Sequence, residues 1–339
     1  MVSTGHADVS YESERASESD DVTYDSSYLE TEVPHEKALE IEEEVLDPED
    51  TNTTEPLNDL DTATSLTNHA NDLYDQGRYS EAEPLYKMAL EIREKVLGPE
   101  HPDTATSLHN LAVDLYAQGR YSEAEALDKK ALEIREKLLD PEDPNIALSL
   151  NNLANDLYGQ GRYAEAEPLH KRALEIREKV LGPEHPDTAL SLSNLASDLN
   201  AQGRYSEAEA LNKRALEIRE KVLDPEDPTI ALSLNNLASS LNAQGRYSKA
   251  EPLHKRALEI REKVLDPDDL NIALSLNDLA VNLNAQGRYF EAEPLLKRAF
   301  EIYKKVLGPK HPNTVIILDN LIFNLNIQGK YLEAEKILK

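Results

Sequence analysis

Glycine stands at positions 77, 119, 161, 203, 245, 287 and 329, and each step between them is 42 residues. Around these glycines the chain copies itself almost verbatim: Gln118-Gly119-Arg120-Tyr121, Gln202-Gly203-Arg204-Tyr205, Gln286-Gly287-Arg288-Tyr289. A fixed period in the range of about 20–50 residues marks a solenoid, in which each unit is one supersecondary motif that buries its apolar face only by stacking on its neighbours. The period therefore overrides the two or three globular domains that 339 residues would otherwise allow.

Each unit divides into two helices. Leu108, Leu111, Ala112 and Leu115 recur at i, i+3, i+4 and i+7, one apolar stripe, and a second stripe follows at Ala124, Leu127, Ala131, Ile134 and Leu138. The turn glycine separates them. Ser122-x-x-Glu125, Ser206-x-x-Glu209 and Ser248-x-x-Glu251 have capping-box spacing, and Pro84, Pro168, Pro252 and Pro294 are expected near the first turn of the second helix. Gly98-Pro99, Gly182-Pro183 and Gly308-Pro309 read as helix stops, and Asp143-Pro144 and Asp227-Pro228 as starts. Glu91–Lys95, Glu133–Lys137 and Glu175–Lys179 read as i, i+4 supports on a solvated face.

The net charge is −29, and residues 1–60 carry 19 Asp and Glu against Arg15 and Lys37. Such acidity argues against nucleic acid and anionic membrane as partners and favours basic ones. There is no cysteine, which removes disulfides and thiolate chemistry and fits the cytoplasm. Residues 1–34 are Ser-, Asp-, Glu- and Thr-rich without apolar periodicity, and are expected to be a disordered acidic tail. His35–Ile41 matches His254–Ile260, so residues 35–60 are expected to hold a degenerate half-repeat helix and a linker. Seven repeats fill 61–339, with the last truncated.

The small-and-large pattern of Leu66, Ala70, Gly77, Tyr79, Ala82 and Ala89 resembles the tetratricopeptide repeat. The 42-residue length and the run from Glu165 to Leu181 narrow the similarity to kinesin light chains and their relatives over residues 61–339. The resemblance implies an all-α superhelix whose first helices line a concave groove that holds extended peptides. Kinesin light chains also carry an N-terminal heptad coiled coil that grips the motor, whereas residues 1–60 hold no sustained heptads.

On that geometry, the first helices would present Asn68, Asn110, Asn152, Asn194, Asn236, Asp278 and Asn320, nine residues before each glycine. One residue earlier stand Asn151, Asn235 and Asn277, with Thr67, His109, Ser193 and Asp319 elsewhere. The matching Asn pair in kinesin light chains holds cargo-peptide backbone. An amide offers both donors and an acceptor, so it pairs with any extended sequence, but it can equally join neighbouring helices. Three residues before the glycine, Tyr74, Tyr116 and Tyr158 give way to Asn200, Asn242, Asn284 and Asn326, beside Asp72, Asp114, Asp156 and Asp198. These rows too read either as ligand anchors or as helix packing. Tyr79, Tyr121 and Tyr163 read as core pins. His101, His185 and His311 lie too far apart for a metal site, and His170 and His254 read as partly buried.

No first helix contains Lys or Arg, so neutral or basic segments are the expected ligands. No phosphate loop, metal motif or activated nucleophile is present in the sequence, and neither catalysis nor a cofactor is expected. The expected function is a non-catalytic protein-interaction scaffold. The alternatives are a self-assembling element, associating through an uncapped C-terminal end, or the sensor part of a larger signalling protein.

Overall fold

The computed structural model describes residues 56–337, and the expected tail and half-repeat before Pro56 lie outside them. Within this range the chain forms fourteen α-helices in seven pairs. The pairs are α1 (Pro56–Asp75) and α2 (Tyr79–Leu97), α3 (Pro102–Ala117) and α4 (Tyr121–Leu138), α5 (Pro144–Gly159) and α6 (Tyr163–Val180), and α7 (Pro186–Ala201) and α8 (Tyr205–Val222). They continue with α9 (Pro228–Ala243) and α10 (Tyr247–Val264), α11 (Leu270–Ala285) and α12 (Tyr289–Val306), and α13 (Pro312–Ile327) and α14 (Tyr331–Ile337). The first helix starts at Pro56, ahead of the expected boundary at residue 61.

The odd-numbered helices begin as the sequence implies. Asp143, Asp227 and Asp269 each accept a hydrogen bond from the backbone N–H two residues on, at 2.8, 2.8 and 2.7 Å. His101, His185 and His311 do the same work through Nδ1, at 3.1, 3.2 and 3.2 Å. The loop histidines are thus helix caps, a role that requires a ring nitrogen free to accept.

Even-numbered helices start differently from expectation. Their N-caps are Arg78, Arg120, Arg162, Arg204, Arg246 and Arg288, with no side-chain cap bond. Ser122 falls inside α4 and is exposed, while Glu125 reaches the following repeat, bonding Arg162 at 2.8 Å and Gln160 at 2.8 Å. The capping-box reading is therefore wrong. What closes the turn is backbone: Gly203 adopts φ +77°, and Arg204 N–H then bonds back to the Leu199 carbonyl at 2.8 Å. Pro84, Pro168, Pro252 and Pro294 sit in the second turn rather than the first, on exposed positions.

From α3 onward, each first helix lies between its own second helix and the preceding one. Alanines with no exposure, such as Ala112, Ala124 and Ala131, let the pair approach closely, while Leu192, Leu234 and Leu276 fill the space between repeats. Burying each such leucine contributes about 1.5–3 kcal/mol. First helices also touch first helices of the next repeat (α3 with α5, α7 with α9, α9 with α11, α11 with α13), which places them on the inner side of the stack.

Polar ladders join the repeats. Arg135, Arg177 and Arg261 are buried and donate to Ser149, Ser191 and Ser275 on the following first helix, at 2.6, 2.9 and 2.7 Å. Burial pushes the Arg219 guanidinium down to about 10. Lys137 and Lys179, expected to pair within their helices, instead reach back 37 residues to Glu100 and Glu142. Arg172 pairs with Glu136 at 2.5 Å in the same manner. Exposed pairs of this kind contribute about 0–1 kcal/mol each, so they set register more than stability.

The turn makes a direct prediction. Gly203→Ala places a side chain at positive φ with open space around it, so backbone strain alone costs the array about 1–2 kcal/mol. Urea denaturation should register that loss, and an unchanged midpoint would contradict it.

Candidate partner-binding layer

The inner layer is built from first-helix positions that the repeat brings into register. Asn110, Asn151, Asn152, Asn194 and Asn235 are buried, whereas Asn68, Asn236, Asn277 and Asn320 are half-buried. Several join neighbouring first helices. Asn194 donates to Asn151 at 2.8 Å and Asn320 donates to Asn277 at 2.9 Å, each across 43 residues. The Asn152 amide lies 3.3 Å from the His109 ring. These bonded asparagines form rungs between repeats, both in the middle of the array and toward its C-terminal end.

Tyr74 and Tyr116 are half-buried and Tyr158 is buried; each ring tilts against the turn tyrosine of its own repeat, Tyr79, Tyr121 or Tyr163, at 5.1, 5.0 and 4.9 Å. The turn tyrosines are themselves half-buried rather than core. Burial first, then the charges of Tyr79 and Asp114, push Tyr74 up to about 12. Burial and neighbouring Tyr121 and Asp156 raise Tyr116 likewise. Farther along, Asn282 donates to Asn242 at 2.7 Å, Asn324 to Asn284 at 2.7 Å, and Ser240 to Asn200 at 3.1 Å. The switch from tyrosine to asparagine is therefore matched, one repeat on, by a switch from aspartate to a neutral partner.

The second helices contribute a set of groups whose joining role the sequence did not reveal. Tyr86, Asp128, His170, Asn212 and His254 occupy one position, nine residues after each glycine, and all are buried. Tyr86 donates to Asn71 at 2.7 Å, and Asp128 lies 3.1 Å from His109 Nδ1. His170 and His254 are fully enclosed, not partly buried as expected. Both ring nitrogens of His170 face oxygen acceptors, Asp198 at 2.6 Å and Asn155 at 3.0 Å. His254 sits otherwise: Nδ1 donates to Asn235 Oδ1 at 3.2 Å and Nε2 accepts from the Asn242 amide at 3.1 Å. The signal was available, because this is a position where near-identical repeats change their side chain.

Carboxylates in this layer are hard to ionise. Burial raises Asp114 to about 6 and raises Asp156 well above the usual range, where the neighbouring Asp128 charge adds to the effect. Burial likewise raises Asp198, against the opposing influence of His170. Among the described residues no group of three or more His, Asp or Glu is placed to hold a metal. No helix there is long and apolar enough to cross a membrane.

Two predictions follow from these partners. Burial holds His254 down to about 4, against 6.5 unperturbed. The unfolded chain therefore binds a proton between these values that the folded one refuses. Stability is lost as pH falls from about 6.5 to about 4, by roughly 3 kcal/mol at this site. His254→Gln should remove that slope in denaturation curves at pH 7, 5.5 and 4, leaving the opposite contribution of Asp114 in place. Second, Asn242→Tyr and Asn282→Asp should each destabilise alone but couple favourably by about 1 kcal/mol when combined, as a double-mutant cycle would measure.

The tetratricopeptide repeat family matches residues 61–137, 145–221, 229–289 and 272–339. No curated protein matches the chain. Among solved structures, a kinesin light chain-like protein of Podosopora anserina with nearly identical TPR-like repeats is 30% identical, covers 61% of this chain and 98% of its own, and gives a TM-score of 0.54. BtubC (BKLC) from P. vanneervenii is 22% identical over 77% of this chain and 95% of its own, with a TM-score of 0.54. The signal transduction ATPase with numerous domains from Pyrococcus horikoshii, which carries a tetratricopeptide repeat sensor, is 18% identical. It covers 79% of this chain and 39% of its own, with a TM-score of 0.61. The paired helices, the 42-residue step and the extent of the family match together establish that the chain belongs to the tetratricopeptide repeat family, of the kinesin light chain-like kind.

Proposed function

We propose that the protein is a non-catalytic scaffold that holds an extended segment of a partner protein along its inner layer of first helices. The observation that carries this reading is the composition of that layer. Seven first helices stack in register, present amides and tyrosines, and contain no Lys or Arg. Such a surface accepts backbone through its amides and disfavours acidic segments, so neutral or basic partners fit it. In repeats two to four the asparagines nine residues before the glycine, Asn110, Asn152 and Asn194, are buried. Contact therefore falls to the half-buried members of the other repeats, Asn68, Asn236, Asn277 and Asn320 among them, together with Tyr74, Asn200, Asn242 and Asn284.

A second reading rests on exposed apolar side chains in the last two repeats. Phe290, Ile327, Tyr331 and Leu332 are 76%, 53%, 65% and 77% exposed. A patch of this kind supports self-association. Light scattering across concentrations separates the two, since a scaffold that works as a single array stays monomeric.

The full chain should capture a partner from source-cell lysate that Asn68→Ala/Asn236→Ala/Asn320→Ala loses at equal helicity. Lys213→Ala, on an exposed position of α8, should retain it. A partner held equally by both variants would contradict binding in the inner layer.

A further inference from the structure

The repeats copy one another closely, yet one inner stripe changes character along the array. Positions thirteen, nine, six and two before the turn glycine share a helix face. In α5 this stripe is closed, with Leu148, Asn152 and Asn155 all buried. In α11 the same stripe carries Asp278 where every other described repeat has Asn, followed by Val281, which is 38% exposed, and Ala285, also exposed. In α13 it carries Ile316 and Ile327, 38% and 53% exposed, with half-buried Phe323 between them. The face has turned from buried amide to open apolar surface around one carboxylate.

This surface is rigidly held. Asn320 to Asn277 at 2.9 Å and Asn324 to Asn284 at 2.7 Å fix α13 against α11 at two levels. Helices packed this way lie about 8–10 Å apart. An extended chain advances about 3.3–3.6 Å per residue, so a segment crossing both helices meets a new helix about every three residues. The only ionisable side chains on the two helices are Asp278 and Asp319, and neither helix carries a cation.

Resting on the inner-layer reading above, we propose that the inner face of α11 and α13 is the selective part of the scaffold. It docks an extended partner segment with an apolar side chain at about every third position and a basic residue between them. Val281, Ala285, Ile316 and Ile327 receive the apolar side chains, and Asp278 attracts the cation. The middle repeats, where Asn110, Asn152 and Asn194 of the same stripe are buried, act as the frame that sets the curvature of this face.

The test uses the full chain and fluorescently labelled nonapeptides, read by anisotropy at two salt concentrations. One peptide has three Leu-Arg-Ser units, one has Leu-Glu-Ser units, and one has Ser-Arg-Ser units. The first should bind at least tenfold tighter than the other two. Val281→Glu should weaken it at least tenfold. Asp278→Asn should weaken it up to about fivefold and reduce its salt dependence, while Lys213→Ala, on an exposed position of α8, should leave it unchanged. Val281 is exposed, so its replacement leaves the fold intact, and circular dichroism verifies this.

Equal binding of the Leu-Glu-Ser peptide, or binding untouched by Val281→Glu, overturns the proposal, as does a failure of the Leu-Arg-Ser peptide to bind. If that peptide binds and Asn68→Ala weakens it while Val281→Glu does not, the placement on α11 and α13 falls and the inner-layer reading stands. If neither variant changes its binding, both fall.

Discussion

Everything in this molecule depends on the fact that a first helix is sandwiched. Leu192, Leu234 and Leu276 have essentially no exposure because each lies between its own second helix and the one before it. A single pair of helices would leave half of that surface in water, and at about 25 cal/mol per Å² no 42-residue unit could hold its shape alone. Stability is therefore a property of the stack, passed from neighbour to neighbour. The zero-exposure alanines serve the same end, since only a methyl group lets the paired axes come close enough for the leucines to fill the interval.

Polar chemistry is sorted by depth on this frame. On the outside, Lys137–Glu100 and Arg172–Glu136 tie each repeat to the one before with solvent-screened pairs. At the turns, Arg162 is shared between Glu165 in its own repeat and Glu125 in the preceding one, both at charge-assisted distances. Inside, water is excluded and a polar group needs a protein partner, which most have, though both amide atoms of Asn110 lack one. That requirement explains why the buried position of Asp128, His170, Asn212 and His254 varies together with its surroundings rather than independently. His254 is the clearest case: with one oxygen and one amide N–H as neighbours, it fits only as a neutral ring.

Much of this was legible in the sequence. The 42-residue glycine step, the two apolar stripes per unit and the Asp-Pro starts gave the helices and their order, because local periodicity and capping chemistry need only nearby residues. Several of the failures were at longer range. Ser122-x-x-Glu125 has capping-box spacing, but Glu125 has an arginine 37 residues later that offers a stronger partner. Glu133 and Lys137 have helix-pair spacing, but Lys137 is drawn to Glu100 in the preceding loop. His101 and His185 looked idle because a histidine cap is uncommon and lacks the carboxylate that marks Asp143. For Glu125 and Lys137 a motif within one repeat lost to a contact between repeats, whereas the histidine caps are local bonds that residue type alone did not announce.

The repeat, its two helices, the turn that needs positive φ, and a first-helix layer without cations were all readable in the order of the amino acids. Those follow from residue type and spacing within a single unit. Only the stacked structure decided which amides of that layer are consumed and which stay near the surface. The period sets Asn152, Asn236 and Asn320 as equivalents. Whether each is buried depends on what His109, Ser193 and Asn277, 43 residues earlier, place opposite it, and on how closely adjoining first helices approach.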